Sequence, residues 1–193
     1  MSGFRKNRPV DISSARFRLR SLERTDASAR WSAWASDPDV MGPLNLVPTP
    51  LSVPGMQQYI AEHDNESAYL VGIFLRSTGA HIGLYNIDCD LMHMVANFSL
   101  MFGDKAHWGH GVVNETRAAL LDHFFDYRKM EKATGTPNAR NFSAILNYKA
   151  QGWKLEGILR QQVKSVTGSH RLDQLQFGML PADWRALKQG TSA

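Results

Sequence analysis

Polar and apolar side chains alternate from position 16 to 20, with Arg16, Arg18 and Arg20 interleaved by Phe17 and Leu19. A period of two predicts a half-buried strand over 16–22, because successive side chains of an extended chain point to opposite faces. The spacing then lengthens. Ala27, Trp31, Trp34 and Ala35 recur as one face of a helix, with Thr25 or Asp26 as its N-cap and Pro38 as its stop. A loop carrying Pro38, Pro43, Pro48, Pro50 and Pro54 follows, and Pro54 suits the first turn of a helix with Met56, Tyr59 and Ile60. Apolar runs at 69–75, 81–87 and 95–102 are separated by Ser77-Thr78-Gly79 and by a polar connection at 88–93. Three strands joined by short turns predict an antiparallel meander.

Residues 103–111 form a loop before a helix over 112–127, whose positions Val113, Leu120, Leu121, Phe124 and Phe125 share one face. A weak strand over 130–136 ends at Pro137, and Asn141 or Ser143 caps a short helix that runs through Tyr148 and stops at Gly152. Runs at 153–159 and 170–180 predict a closing pair of strands, and Pro181 opens a last helix with Trp184 and Leu187. The order predicts a mixed α/β layer fold. A basic tail over 1–14 and a short tail over 189–193 flank one domain over 15–188, and both tails are expected to be loose.

Hydrophobic residues make up 43% and charged residues 21% of the 193, which excludes long disorder. The net charge of +4 favours a polyanionic ligand but is too small and too dispersed to indicate nucleic acid. The single cysteine, Cys89, permits no internal disulfide. With no apolar leader in 1–12 and no long apolar run, a cytoplasmic protein without membrane association is expected.

The chemistry concentrates between 95 and 113. A strand enters the loop His107-Trp108-Gly109-His110-Gly111, which opens a long helix. Glycines let the backbone approach an anion, and the unpaired N–H groups of the helix start point at it. Two glycines alone support only an anion site or a plain turn. The Walker pattern is missing, as is the third glycine of the dinucleotide fingerprint, at Asn114.

This loop resembles motif A of the GNAT acetyltransferases, Arg/Gln-x-x-Gly-x-Gly/Ala. Further segments follow in the family's order. Asn141-Phe142-Ser143-Ala144-Ile145-Leu146-Asn147-Tyr148 resembles its Asn…Ser/Ala…Tyr helix. Gly152-Trp153-Lys154-Leu155-Glu156-Gly157-Ile158-Leu159-Arg160 resembles its Gly-Phe-x-x-Glu-Gly-x-x-Arg strand. The segment 172–180, ending near Trp184, resembles the last strand of the branch that includes ribosomal-protein acetyltransferases, and 87–108 is also similar to the amino-sugar enzymes. The resemblance spans about 16–187.

The resemblance implies a GNAT fold: a mixed, mostly antiparallel sheet that splays at the cofactor site, with helices on both faces. It implies an N-acetyltransferase that moves the acetyl group of acetyl-CoA to a primary amine by direct attack in a ternary complex. The pantetheine arm would add to the exposed edge near Phe98. The pyrophosphate would rest on N–H groups of Trp108, Gly109, His110, Gly111, Val112 and Val113. A backbone N–H near Leu100 or Met101 would polarise the thioester, and Asn141 and Ser143 would touch the cofactor. Tyr148 would protonate the departing thiolate, since a phenol keeps its proton at neutral pH.

Two positions depart from the pattern. Ala106 replaces a phosphate-binding side chain, and Asn97 replaces a glutamate common in relatives. Asp88, His93, His107, Glu115 and His81 remain as candidate bases. The loop 41–53 falls where the family builds its acceptor pocket. Trp31 and Trp34 also fall there, although helix-face packing explains them as well. The expected partner is a small-molecule or peptide amine, with a homodimer left open and neither nucleic acid, membrane nor metal involved. The departures also leave open a non-catalytic acyl-CoA-binding or sensing module on the same fold.

Overall fold

The computed structural model describes residues 8–190. Of the loose tails expected at 1–14 and 189–193, residues 1–7 and 191–193 lie outside the described residues, and residues 189–190 end the last helix. Within the expected basic tail, Asp11–Ser13 forms a first strand, β1, and Val10 before it is buried. The alternation at 16–22 produces β2 (Phe17–Ser21), with Phe17 and Leu19 buried. The three apolar runs become β3 (Ala68–Leu75), β4 (His81–Asp90) and β5 (Val95–Met101), paired antiparallel in sequence. The polar connection at 88–93 is shorter than expected, because β4 continues through Asp90. The chain is completed by β6 (Lys132–Gly135), β7 (Lys154–Lys164) and β8 (Arg171–Met179).

The sheet runs β1-β2-β3-β4-β5-β6-β8-β7. Every neighbouring pair is antiparallel except β5 with β6, which run parallel. Among the described residues six α-helices cover it: α1 (Ala29–Ala35), α2 (Pro38–Met41), α3 (Val53–Ala61), α4 (Val112–Asp122), α5 (Phe142–Ala150) and α6 (Pro181–Gly190). A π-helical turn, His123–Tyr127, extends α4.

Two cores result, one on each face. Trp31, Trp34, Val40, Met41, Met56 and Ile60 of α1, α2 and α3 pack with Leu70, Phe74 and Leu84. On the opposite face Val112, Leu120, Leu121, Tyr148 and Trp184 of α4, α5 and α6 pack with alternate residues such as Phe17, Tyr85, Phe98 and Phe177. Burying both faces explains why β3 reads as a continuous apolar run rather than an alternation.

The N-terminal cap of α1 differs from expectation. Ser28 supplies it by accepting from the Trp31 N–H. Thr25 and Asp26 lie in a separate 3-10 turn, and Asp26 instead takes two hydrogen bonds of 2.7 Å from Arg20. Pro38 lies two residues beyond Ser36, the C-cap of α1, as expected of a stop, and it also opens α2 at its first position. The rest of the proline-rich loop is tied across the molecule. Asn138 Nδ2 donates to Pro43 O at 2.7 Å, Asn45 Nδ2 donates to Lys164 O at 2.8 Å, and the Val166 N–H donates to Asn45 Oδ1 at 3.0 Å.

Candidate active site

The parallel pairing of β5 with β6 lasts for three residue pairs and ends at Asn97 with Thr134. Beyond it, β5 continues to Met101 paired only with β4, while β6 stops at Gly135 and pairs with β8. The sheet therefore opens into a wedge. Met94 O accepts from the N–H groups of Glu131 and Lys132 on the β6 side. Backbone direction alternates with a period of two, so Phe98 and Leu100 turn their N–H and C=O groups to the same side. Met101 O faces the other way, 2.9 Å from where a Cβ on Gly83 of β4 would stand. Of the two expected thioester donors, Leu100 is thus the one on the open edge.

Tyr148 fills the apex of the wedge. Asn141 caps α5, its Oδ1 accepting from the Ala144 N–H at 3.1 Å, and the Ser143 hydroxyl donates to the same oxygen. This cap sets the helix that aims Tyr148 inward, where its hydroxyl donates to Phe98 O at 3.2 Å. Its ring stacks on Phe177 at 5.0 Å and meets Trp153 edge-on. A Cβ on Gly135 would collide with the phenol, so only glycine at this position of β6 leaves room for it. Burial pushes the hydroxyl's pKa above its ordinary value, and the charge of Arg117 opposes that rise.

The glycine loop meets the start of α4 as the motif requires. Gly109 and Gly111 take φ of +77° and +70°, in the left-handed region that glycine enters without strain. Gly111 is the N-cap, and no side chain caps the helix there. The first bond of α4 is the Glu115 N–H to Gly111 O. Among the described residues no acceptor is paired with the N–H groups of Gly109, His110, Gly111, Val112, Val113 or Asn114. Unpaired donors at a helix start suit a phosphate. Trp108 is different: its N–H donates to Lys105 O and its indole to Phe102 O at 3.0 Å, so it shapes the loop from within. A cavity of about 570 Å³ lies on the loop's flank toward β2 and β3, lined by Arg16, Arg76, His107 and His110, and no residue of the wedge lines it.

The candidate bases separate clearly. Glu115 is committed to structure: it accepts from the Ser14 hydroxyl at 2.7 Å and from the N–H and Nε of Arg16 at 2.8 and 2.7 Å. His81 packs against Phe74, bonds Gly83 O at 2.9 Å, and is pushed down to about 4 by burial. His107 Nδ1 lies 3.5 Å from Asp104. Asp88 and His93 alone among these line a second cavity of about 730 Å³, together with Asp90, Asn97 and Thr134. Asp88 is the direct cross-strand partner of Asn97, the last residue before the wedge.

The sequence reading missed Arg117, Gln151 and Gly135. Arg117 is 2% exposed and places its guanidinium 4.2 Å over the Tyr148 ring. Its signal was a charged residue four before Leu121 and three before Leu120, inside the apolar stripe of α4. Gln151 donates to Asn114 O at 2.9 Å and accepts from the Trp153 indole at 3.0 Å, linking α4 to the end of α5.

Residues 16–152 match the acetyltransferase (GNAT) domain family. The chain belongs to the GNAT acetyltransferases. A probable N-acetyltransferase of Bacillus subtilis, YjcK, is 26% identical over 153 residues, which cover 76% of this chain and 84% of that protein. Among solved structures, spermidine N-acetyltransferase from Vibrio cholerae, in complex with CoA and spermine, superposes with a TM-score of 0.77 at 18% identity, covering 89% of this chain and 99% of that one. The ribosomal-protein-S5-alanine acetyltransferase from Vibrio fischeri gives 0.75 at 14% identity, covering 91% and 98%. This GNAT protein is an acetyl-CoA-dependent N-acetyltransferase. No helix among its described residues is long and apolar enough to cross a membrane.

Proposed function

We propose that this GNAT enzyme acetylates a primary amine by direct attack in a ternary complex, with acetyl-CoA held in the wedge between β5 and β6. The observation that carries this reading is the Tyr148 hydroxyl at Phe98 O at the apex of the wedge, on the same core as Val112, the first residue of the helix whose start leaves the N–H groups of His110 through Val113 unpaired. The pyrophosphate rests on those N–H groups and on that of Gly109. The pantetheine amides pair with the free edge of β5. The Leu100 N–H donates to the thioester oxygen and steadies the oxyanion. Asn141 and Ser143 act through the cap of α5, and the backbone cradle serves in place of the side chain missing at Ala106.

The two faces of the sheet divide the work. Asp88 and Asn97 stand on the face covered by α1, α2 and α3, because Asp88 alternates with Leu84 and Asn86 along β4. Phe98 and Tyr148 belong to the opposite core. The amine approaches past Asp88 and Asp90, which favour its cationic form, and Asp88 accepts its proton directly or through water. Nitrogen attacks the carbonyl carbon, the tetrahedral oxyanion collapses, and the C–S bond breaks. Tyr148 Oη–H gives its proton to the departing sulfur, producing free CoA thiol, and the phenolate regains a proton from solvent. The proline-rich loop, tied to Asn138 and to residues 164 and 166, borders the acceptor side and selects the amine.

Thiol release from acetyl-CoA, measured across polyamines, peptides with free N-termini, amino-sugar nucleotides and aminoglycosides, tests the reading. Turnover with at least one amine is expected. Acetyl-CoA binding without thiol release for any amine would support the sensing module instead.

A further inference from the structure

Among the described residues Arg117 is the one strongly buried cation that touches the proposed acid. Its guanidinium carbon lies 4.2 Å from the Tyr148 ring centroid and 5.7 Å from that of Trp153. Phe177 covers the other face of the phenol, so the ring sits between a cation and an apolar side chain. Among the described residues no carboxylate pairs with Arg117, and its Nε has no hydrogen-bond partner. The guanidinium's Nη1 reaches Gln151 Oε1 at only 3.5 Å. A buried charge without a counter-ion is costly, and a leucine-sized side chain would fit the stripe of α4 without that cost.

We infer that Arg117 is a positioning residue for the acetyl transfer, holding the Tyr148 phenol in the wedge and balancing the negative charge that appears there when the phenol gives up its proton. The inference rests on the proposed role of Tyr148 as the acid. The charge argument is direct. Collapse of the tetrahedral intermediate moves the C–S bonding electrons onto sulfur, and proton transfer from Tyr148 then moves the negative charge onto the phenol oxygen. The proton ends on CoA sulfur, so atoms and charge balance. Both anions form in a buried site, where a fixed positive charge is worth more than in water.

The resting phenol is about 1.5 pKa units weaker as an acid than a free thiol, and burial weakens it further. A cation over its face works in the opposite direction, bringing donor and acceptor closer to a match. The groups facing the phenol leave Arg117 alone in this role. On β4, the Tyr85 hydroxyl is bonded to Thr116 at 2.9 Å, and Arg117 also faces it, its charge opposing the rise that burial imposes on that phenol. β5, β6 and β8 present Phe98, Gly135 and Phe177, and Trp153 closes the remaining side.

The test is a double-variant cycle in the full-length protein. Arg117→Met and Arg117→Gln are expected to lower kcat about tenfold or more while changing the KM for acetyl-CoA less than twofold. The same changes in a Tyr148→Phe background should cost almost nothing further, since the charge acts through the phenol. NMR titration of tyrosine labelled with carbon-13 at Cζ should show the Tyr148 ionisation moving to higher pH in the Met variant. Arg117→Lys keeps a cation and should fall between wild type and Gln, which preserves the test if Met or Gln fails to fold. An equal loss in both backgrounds, or an unmoved phenol titration, would overturn the inference. If Tyr148→Phe itself loses no turnover, the proposed acid fails, and the titration still shows whether Arg117 governs the phenol.

Discussion

At the residue scale, the proposed mechanism divides the chemistry between one hydroxyl and one carboxylate on the two faces of the sheet. Tyr148 was legible because the Asn141 to Tyr148 wording matches the family helix, yet its setting was not. Nothing local in the sequence shows that Gly135, Phe177 and Phe98 O converge on it, since these contacts span 13 to 50 positions. The base was not legible either. Of five candidates, the structure engages Glu115 and His81 in structural bonds, sets His107 beside Asp104, and leaves Asp88 and His93 on the second cavity. Asp88→Asn should therefore lower kcat/KM for the amine by about tenfold or more, a typical loss for a general base, and leave acetyl-CoA affinity unchanged. Steady-state kinetics with calorimetric binding check this. An unchanged kcat/KM would move the proton acceptor to His93 or to solvent.

At the element scale, the site depends on where pairing stops. β5 and β6 share only three pairs, and the rest of β5 becomes an edge inside the sheet rather than at its rim. Apolar runs predicted the strands well, because each strand of the meander is buried on at least one face. They could not show the wedge, which is a property of register between strands distant in sequence. The same limit hid β1, whose alternation over Asp11–Ser13 is too short to stand out and which is held by pairing with β2. It also misplaced the cap of α1, where Ser28 competes successfully because Asp26 is engaged by Arg20. Capping was predicted correctly on α5. Asn141→Ala should destabilise the protein by about 1 kcal/mol, read as a lower thermal midpoint, and should loosen Tyr148 from Phe98 O. Gly135→Ala should lower turnover more than stability, because its added methyl displaces the phenol.

At the scale of the whole molecule, two cores on opposite faces of one eight-stranded sheet hold the wedge open. Two half-buried histidines, His81 and His123, set the acid limit of that frame. Burial pushes His81 down to about 4, and burial followed by the charge of Arg128 pushes His123 down to about 4, against an ordinary 6.5. The unfolded chain therefore binds more protons between about 4 and 6.5, and stability falls as pH is lowered through that window. Asp64 acts at lower pH. Burial works to raise it, but donors from Ala68, Glu66 and Ser67 outweigh this and hold it at about 2. Its contribution is complete above 3.8 and lost as pH falls toward about 2. Thermal midpoints should drop progressively below pH 6.5, with a shallower slope in His123→Phe, and an equal slope in that variant would remove His123 from the account. The central claim is that acetyl-CoA occupies the wedge and that Tyr148 protonates its departing sulfur. The most direct measurement is thiol release by Tyr148→Phe beside wild type, with acetyl-CoA affinity determined for both. The account predicts retained affinity and turnover reduced about 100-fold; wild-type turnover in the variant would contradict it.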